Sequence, residues 1–246
     1  MNTLQTVRGG LGVVWVYLVP SPLLWLTVTV GAYALADRIA AALRRHPLAN
    51  PLLMAIVMVA GLVVATGTPY ADYFAGAQFV HVLLGPATVA LAVPLWRSRK
   101  TVLRALIPLL AALVVGCVVS ITSAVGIAWA FGAPRMVIAS LAPKSVTTAI
   151  SMGVAEAVGG NAALAATIVI ITGIFGAIVG WPMLERLRVR DPAARGFAIG
   201  LAAHGMGTAR CFQSDPMAGT FAGIAMGLNG MLTAFLVPVV LHLFGM

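Results

Sequence analysis

The sequence predicts an all-α polytopic membrane protein, and three observations carry that prediction. Of its 246 residues, 61% are hydrophobic and only 9% charged, far from the soluble average. Apolar stretches recur along the whole length, separated by short polar or Gly/Pro-marked turns, with no low-complexity tract or long linker. The basic residues fall into three short groups: Arg38, Arg44 and Arg45; Arg97, Arg99, Lys100 and Arg104; and Arg186, Arg188, Arg190 and Arg195. Such grouping is the pattern of cytoplasmic loops between spans. It also argues against nucleic acid as the partner of a chain with net charge +9, since that would need a basic face with stacking aromatics on a soluble module.

A spanning helix needs about 20 mainly apolar residues to cross a hydrocarbon core of roughly 30 Å. Residues 1–21 read as an N-terminal lead-in, because the apolar stretch at 11–20 is short and ends at Pro20. Arg8, the apolar run after it and Ala32, Ala34 and Ala36 resemble a secretion signal, but a first transmembrane helix accounts for the same residues. About six full spans are expected, near 22–41, 50–66, 79–96, 102–130, 161–184 and 217–244, all in one membrane domain.

Charge then constrains the rest. With Arg44 and Arg45 in the cytoplasm, the 67–78 loop, which has Asp72 and no Lys or Arg, falls outside and the 97–104 loop returns inside. Helix 102–130 exits, and helix 161–184 has to end inside to leave Arg186, Arg188 and Arg190 in the cytoplasm. Residues 132–158 must therefore cross an even number of times, and they are too few for two full spans. A re-entrant hairpin or a pair of half-helices is expected there. The segment 196–214, with its interrupting glycines, reads as a second such element entering from the cytoplasm. Phe74–Val93 and Phe131–Ile150 share Phe, Leu, Pro and Val positions, a faint internal repeat of secondary-transporter type that suggests a break at Pro86 in "GPATVALAVP" as well.

Irregular backbone at membrane depth is tolerated only where protein or a water-filled cavity satisfies it, so these segments are where an interior site belongs. In "LAPKSVTTAI", Pro143 breaks the backbone and the following residues resemble a helix start, where free N–H groups attract anions. Lys144, Ser145, Thr147 and Thr148 add a charge and hydroxyl donors, and a carboxylate suits the arrangement. The alternative is that the hydroxyls bond back to carbonyls one turn earlier and Lys144 reaches to the surface. In the second segment, breaks are expected at Gly205 and Gly207. Arg210 stays protonated and needs an anion or carbonyl partner, and Thr208 lies beside it. His204 either couples proton movement or is a hydrogen-bonded packing residue. Asn229, between Gly227 and Gly230, either contacts the solute or bonds between helices. Glu156 reads as interfacial, Asp191 and Asp215 as loop or cap residues before prolines, and His81 as a weaker pore-lining candidate.

Cys117 and Cys211 sit in apolar segments with no paired spacing, so neither a disulfide nor a zinc site is expected. No catalytic motif is recognisable and carboxylates are too few for acid/base work, so enzyme activity, a cofactor and a metal are not expected.

From about Leu48 onward the chain resembles the LrgB/CidB family of holin/antiholin-like bacterial membrane proteins. The resemblance rests on "NPLL" at 50–53, "LLGPATVALAVPL" at 83–95, "LAPKSVTTAI" at 141–150, "VIITGIFGAIVG" at 169–180, "DPAARGFAIGLAAHGMGTAR" at 191–210 and "AMGLNGMLTA" at 225–234. It departs from the usual pattern at Ala149, Ser151 and "CFQSD" at 211–215. The resemblance extends to the C-terminal half of the plant plastid glycolate/glycerate translocator. It implies transport of small 2-hydroxy or 2-oxo monocarboxylates such as glycolate, glycerate or pyruvate. It equally implies an antiholin-like role in regulating murein hydrolase activity and lysis with a small LrgA/CidA-type partner. A multi-pass protein of the bacterial inner membrane, assembled as a homodimer, is the corresponding expectation.

Overall fold

A computed structural model of the chain describes residues 21–44, 49–83, 86, 89–90, 92–97 and 99–246. Among the described residues the regular elements are all helical. By their contacts the residues group into two compact units, 1–90 and 91–246.

The first unit contains α1 (Pro22–Ala42), α2 (Pro51–Ala65) and α3 (Tyr70–Val82). Proline at the first helical position starts both α1 and α2, where its missing N–H costs nothing. Asn50 caps α2, its Oδ1 accepting from the Leu52 and Leu53 amides at 2.9 and 3.2 Å. α3 lies close on α1 because Gly76 has no side chain: a Cβ there would stand 2.2 Å from the Pro22 carbonyl oxygen. The fully buried Trp25 packs edge-on against Tyr73 with ring centroids 5.7 Å apart.

The second unit runs through α4 (Ala92–Arg97), α5 (Arg99–Arg104), α6 (Leu106–Ala130), α7 (Arg135–Leu141), α8 (Thr148–Ala157), α9 (Ala162–Arg186), α10 (Pro192–Ser214) and α11 (Pro216–Leu243). Asp191 caps α10, Asp215 caps α11 and Asn161 caps α9, each accepting backbone N–H bonds in the first turn. Both aspartates are thus cap residues, as their position before proline implies. α6 and α11 lie side by side and run the same way: Cys117 meets Thr233 at 3.3 Å, and further along Trp129 meets Phe244. Ile121, Val125, Val237 and Leu241 fill the seam between them.

Four helices, α1, α6, α9 and α11, are long and apolar enough to cross a membrane, at 21, 25, 25 and 28 residues. Six full spans were expected. α2, the second, has only 15 residues, roughly 22 Å of helix and short of the hydrocarbon core. In the third, 79–96, α3 ends at Val82 and α4 begins at Ala92, while residues 84, 85, 87, 88 and 91, which the pairing of 74–93 with 131–150 also needs, lie outside the described residues, as does the lead-in up to residue 20. The chain is nonetheless a multi-pass, all-α membrane protein.

Candidate functional site

Two segments of the second unit break their helices, and both reverse the chain. The first is α7, a link over 142–147, and α8. Arg135 at its start returns to lie against Gly159 just past its end, and both flank a cavity of about 450 Å³ with Leu241 and His242 at the end of α11. The helix after Pro143 starts later than expected. Lys144 and Ser145 lie in the link itself, which is turned by bonds from Lys144 N to Leu141 O and from Val146 N to Pro143 O, and α8 begins at Thr148 with Thr147 as its cap residue.

The second reversal lies within α10. Ala203 (φ −124°, ψ 16°) and His204 (φ 43°, ψ −133°) leave helical geometry. A Cβ on Gly207 would then sit 3.0 Å from the Ile199 carbonyl oxygen, whereas eight residues of continuous helix would separate the two by about 12 Å. The outgoing limb packs in parallel with α11, Gly196 on Ala218 and Gly200 on Ala222. The returning limb runs back along it, Gly205 toward Met226 and Phe212 on Gly219. The break therefore falls at Ala203 and His204 and not at Gly205 and Gly207. Those glycines begin the returning limb, where Gly207 lets the two limbs touch. Left-handed φ at a non-glycine residue costs on the order of 1–3 kcal/mol. The buried His204 ring is anchored by donating through Nε2 to the Val169 carbonyl at 3.0 Å, and Thr208 Oγ1 donates to the His204 carbonyl at 2.8 Å.

The tips of the two hairpins meet at Asn229, the fourteenth of the 28 residues of α11 and 1% exposed. Its Nδ2 donates to the Ser145 carbonyl at 3.2 Å and to the Leu201 carbonyl at 3.1 Å, so one amide serves a carbonyl of each broken segment. Thr233 Oγ1 donates to Asn229 Oδ1 at 3.4 Å. Both amide hydrogens are thereby committed to backbone, which places Asn229 in interhelical bonding.

Beside this junction, Lys144 Nζ donates to Ser120 Oγ at 3.2 Å and Ser145 Oγ at 3.4 Å, and those two hydroxyls share a 2.5 Å bond. Arg195 pairs with Glu185 at 3.7 Å, whereas the side-chain partners of Lys144 among the described residues are hydroxyls and not carboxylates. Thr147 and Thr148 are half-buried at the start of α8, and the Thr147 side chain makes no cap bond. One turn on, the Ser151 hydroxyl is fully buried without a partner. A half-buried cation, an uncapped helix start and an unpaired hydroxyl thus occupy the same few residues. Arg210 lies half-buried on the returning limb of the other hairpin, six residues beyond His204.

Ser120 and the Leu201 carbonyl are not among the sequence candidates, and Ser151 stands there only as a departure from the family pattern. The hydroxyls of Ser120 and Ser123 inside an apolar span were the available signal for the first. The Leu201 carbonyl carries none, because a freed backbone group has no sequence signature. Glu156 is exposed near the open end of the first hairpin. Pro86, expected as a break, is helical and exposed, while residues 84, 85, 87 and 88 around it lie outside the described residues, and of the His81 side chain nothing is described.

The LrgB-like family matches residues 29–243. The chain is 30% identical to YxaC of Bacillus subtilis over 221 residues, covering 89% of this chain and 95% of that one. It is 31% identical to a Haemophilus influenzae protein over 194 residues, 79% and 84% of the two chains. With the holin-like protein CidB of Staphylococcus aureus the identity is 29%, over 90% and 96% of the two chains. No solved structure matches. With nearly its whole length matched, this chain is a member of the LrgB-like family.

Proposed function

We propose that the protein moves small monocarboxylates of the glycolate, glycerate or pyruvate class across the bacterial inner membrane. The observation that carries this reading is the meeting of two broken hairpins at Asn229, next to a lysine whose charge is met only by neutral hydroxyls. Broken helices near the middle of a spanning bundle are where secondary transporters bind their solutes. In this reading Lys144 pairs with the carboxylate, while the first N–H groups of α8 with Thr147, Thr148 and Ser151 complete the cradle. Arg210, Thr208 and His204 stand on the opposing hairpin, Arg210 as a second cation and His204 as a candidate for proton coupling. Asn229 supports the site without touching the solute.

The test is uptake of labelled glycolate, glycerate and pyruvate into proteoliposomes. Lys144→Gln removes the charge and keeps most of the side chain's length, and is expected to lower saturable uptake by about 10- to 100-fold. Unchanged kinetics in a folded Lys144→Gln protein, or no uptake of any acid by the parent, ends the proposal.

A second reading is favoured by the Staphylococcus relatives, which are named holin-like proteins. The protein would then be an antiholin-like regulator of murein hydrolase activity, working as a homodimer or with a small LrgA/CidA-type partner. That reading predicts leakage with little selectivity, or a stable complex with the small protein, and indifference to Lys144→Gln.

A further inference from the structure

The two hairpins enter the unit from opposite ends of α11. The open end of the first, at Arg135 and Gly159, lies by His242, while the open end of the second, at Gly196 and Phe212, lies by Ala218 and Gly219. Each follows one long helix, α6 before the first and α9 before the second, and these two helices run in opposite directions. α6 is parallel to α11, pairing Cys117 with Thr233. α9 is antiparallel to the outgoing limb of α10, which itself runs parallel to α11: Gly180 meets Ile199 and Gly173 meets His204. A long helix followed by a hairpin thus occurs twice, once in each orientation.

The sequence repeats with the geometry. Shifted by sixty positions, Leu141, Ala142, Thr148 and Ala149 fall on Leu201, Ala202, Thr208 and Ala209, and the basic Lys144 falls on the basic His204. The shift brings the bend of one hairpin onto the bend of the other, and identities at an apolar, kinked tip gain weight from that structural equivalence. It is a different pairing from the one suggested by Phe74–Val93.

We infer that α6 with the α7–α8 hairpin and α9 with the α10 hairpin form an inverted-topology repeat, and that the tips at Asn229 are reached alternately from the two faces of the membrane. Repeats of this kind let one half rock against the other around a fixed central site. Asn229 is then a positioning residue between the halves, since it bonds one carbonyl from each. The sidedness follows from charge. Arg97, Arg99, Lys100 and Arg104 precede α6, and Arg186, Arg188 and Arg190 precede α10, so both lead from the cytoplasm. The first hairpin opens to the outside and the second to the cytoplasm. This access cycle rests on the transport reading, but its topology does not.

The experiment is cysteine labelling of the full chain in right-side-out and inverted vesicles, in a Cys117→Ser, Cys211→Ala background, with a membrane-impermeant maleimide. Ala157→Cys and Ser214→Cys, both exposed at open ends of the hairpins, report topology with no solute present. Labelling of Ala157→Cys only from outside and Ser214→Cys only from the cytoplasm is expected. If α10 were one continuous span, Ser214→Cys would label from outside, which overturns the repeat. Tip access is read at Thr147→Cys and at Gly205→Cys, where a Cβ meets only Met226 Sδ at 3.8 Å. Ala149→Cys and Ala209→Cys serve if either tip variant fails to fold. Each tip position is expected to label from both faces, and added glycolate is expected to slow the two faces unequally. Labelling from one face only, from neither, or with no effect of glycolate while topology is as expected overturns alternating access and leaves the repeat standing. Loss of uptake without change in labelling would instead count against the transport reading alone.

Discussion

Asn229→Leu is the substitution whose cost the geometry fixes best. Leucine keeps asparagine's branching at Cγ but carries two bulkier methyl groups in place of the amide, and the Ser145 and Leu201 carbonyls lose their donors at 3.2 and 3.1 Å. Side-chain hydrogen bonds between membrane helices average about 0.6 kcal/mol and reach about 1.7 kcal/mol. Two of them give about 1.2 to 3.4 kcal/mol. The upper half of that interval is expected, because both acceptors belong to segments whose backbone leaves the helix within a few residues. A buried acceptor without a donor costs about 1–3 kcal/mol. The assay is reversible unfolding in mixed micelles against the parent chain. Thr233→Val is the control, since it removes only the 3.4 Å contact to Asn229 Oδ1 and the 3.3 Å contact to Cys117, and it should cost less than about 1 kcal/mol. An Asn229→Leu protein within about 0.5 kcal/mol of the parent, the range of an ordinary surface substitution, would refute the idea that this amide joins the two tips.

The other predictions concern single residues in both units. A Cβ on Gly173 would stand 2.6 and 2.7 Å from the His204 ring and 2.9 Å from Met206 Sδ, so Gly173→Ala should destabilise by about 1–3 kcal/mol, read as a lowered thermal midpoint in detergent. Gly61→Ala, where nothing lies within 4 Å, should instead leave the midpoint unchanged or raise it by the equivalent of about 0.5–1 kcal/mol. Asp215→Ala removes the acceptor of the Ala218 amide bond at 2.8 Å and should cost about 0.5–2 kcal/mol in the same melt.

Composition, loop charge and span length were enough to place α1, α6, α9 and α11 and to mark 132–158 and 196–214 as irregular. These signals are legible in sequence because lipid admits few ways to satisfy a backbone, and because basic loops stay on one side. The caps at Asp191–Pro192 and Asp215–Pro216 were legible for the same local reason: a helix start leaves N–H groups whose hydrogen bonds a nearby side chain can accept.

The exact place of each reversal was not local. The glycines at 205 and 207 suggested a break there, yet the chain turns at Ala203 and His204, because the His204 ring finds the Val169 carbonyl on another helix and Gly207 is needed for the limbs to touch. Likewise Asn229 reads in sequence as a polar residue in an apolar span. Only packing shows that its two donors meet carbonyls 84 and 28 residues away. The sequence by itself determined that this is a membrane bundle with two interrupted segments. The tertiary structure decided that they open toward opposite ends and join at one amide, since freed carbonyls are satisfied by distant partners that no local pattern records.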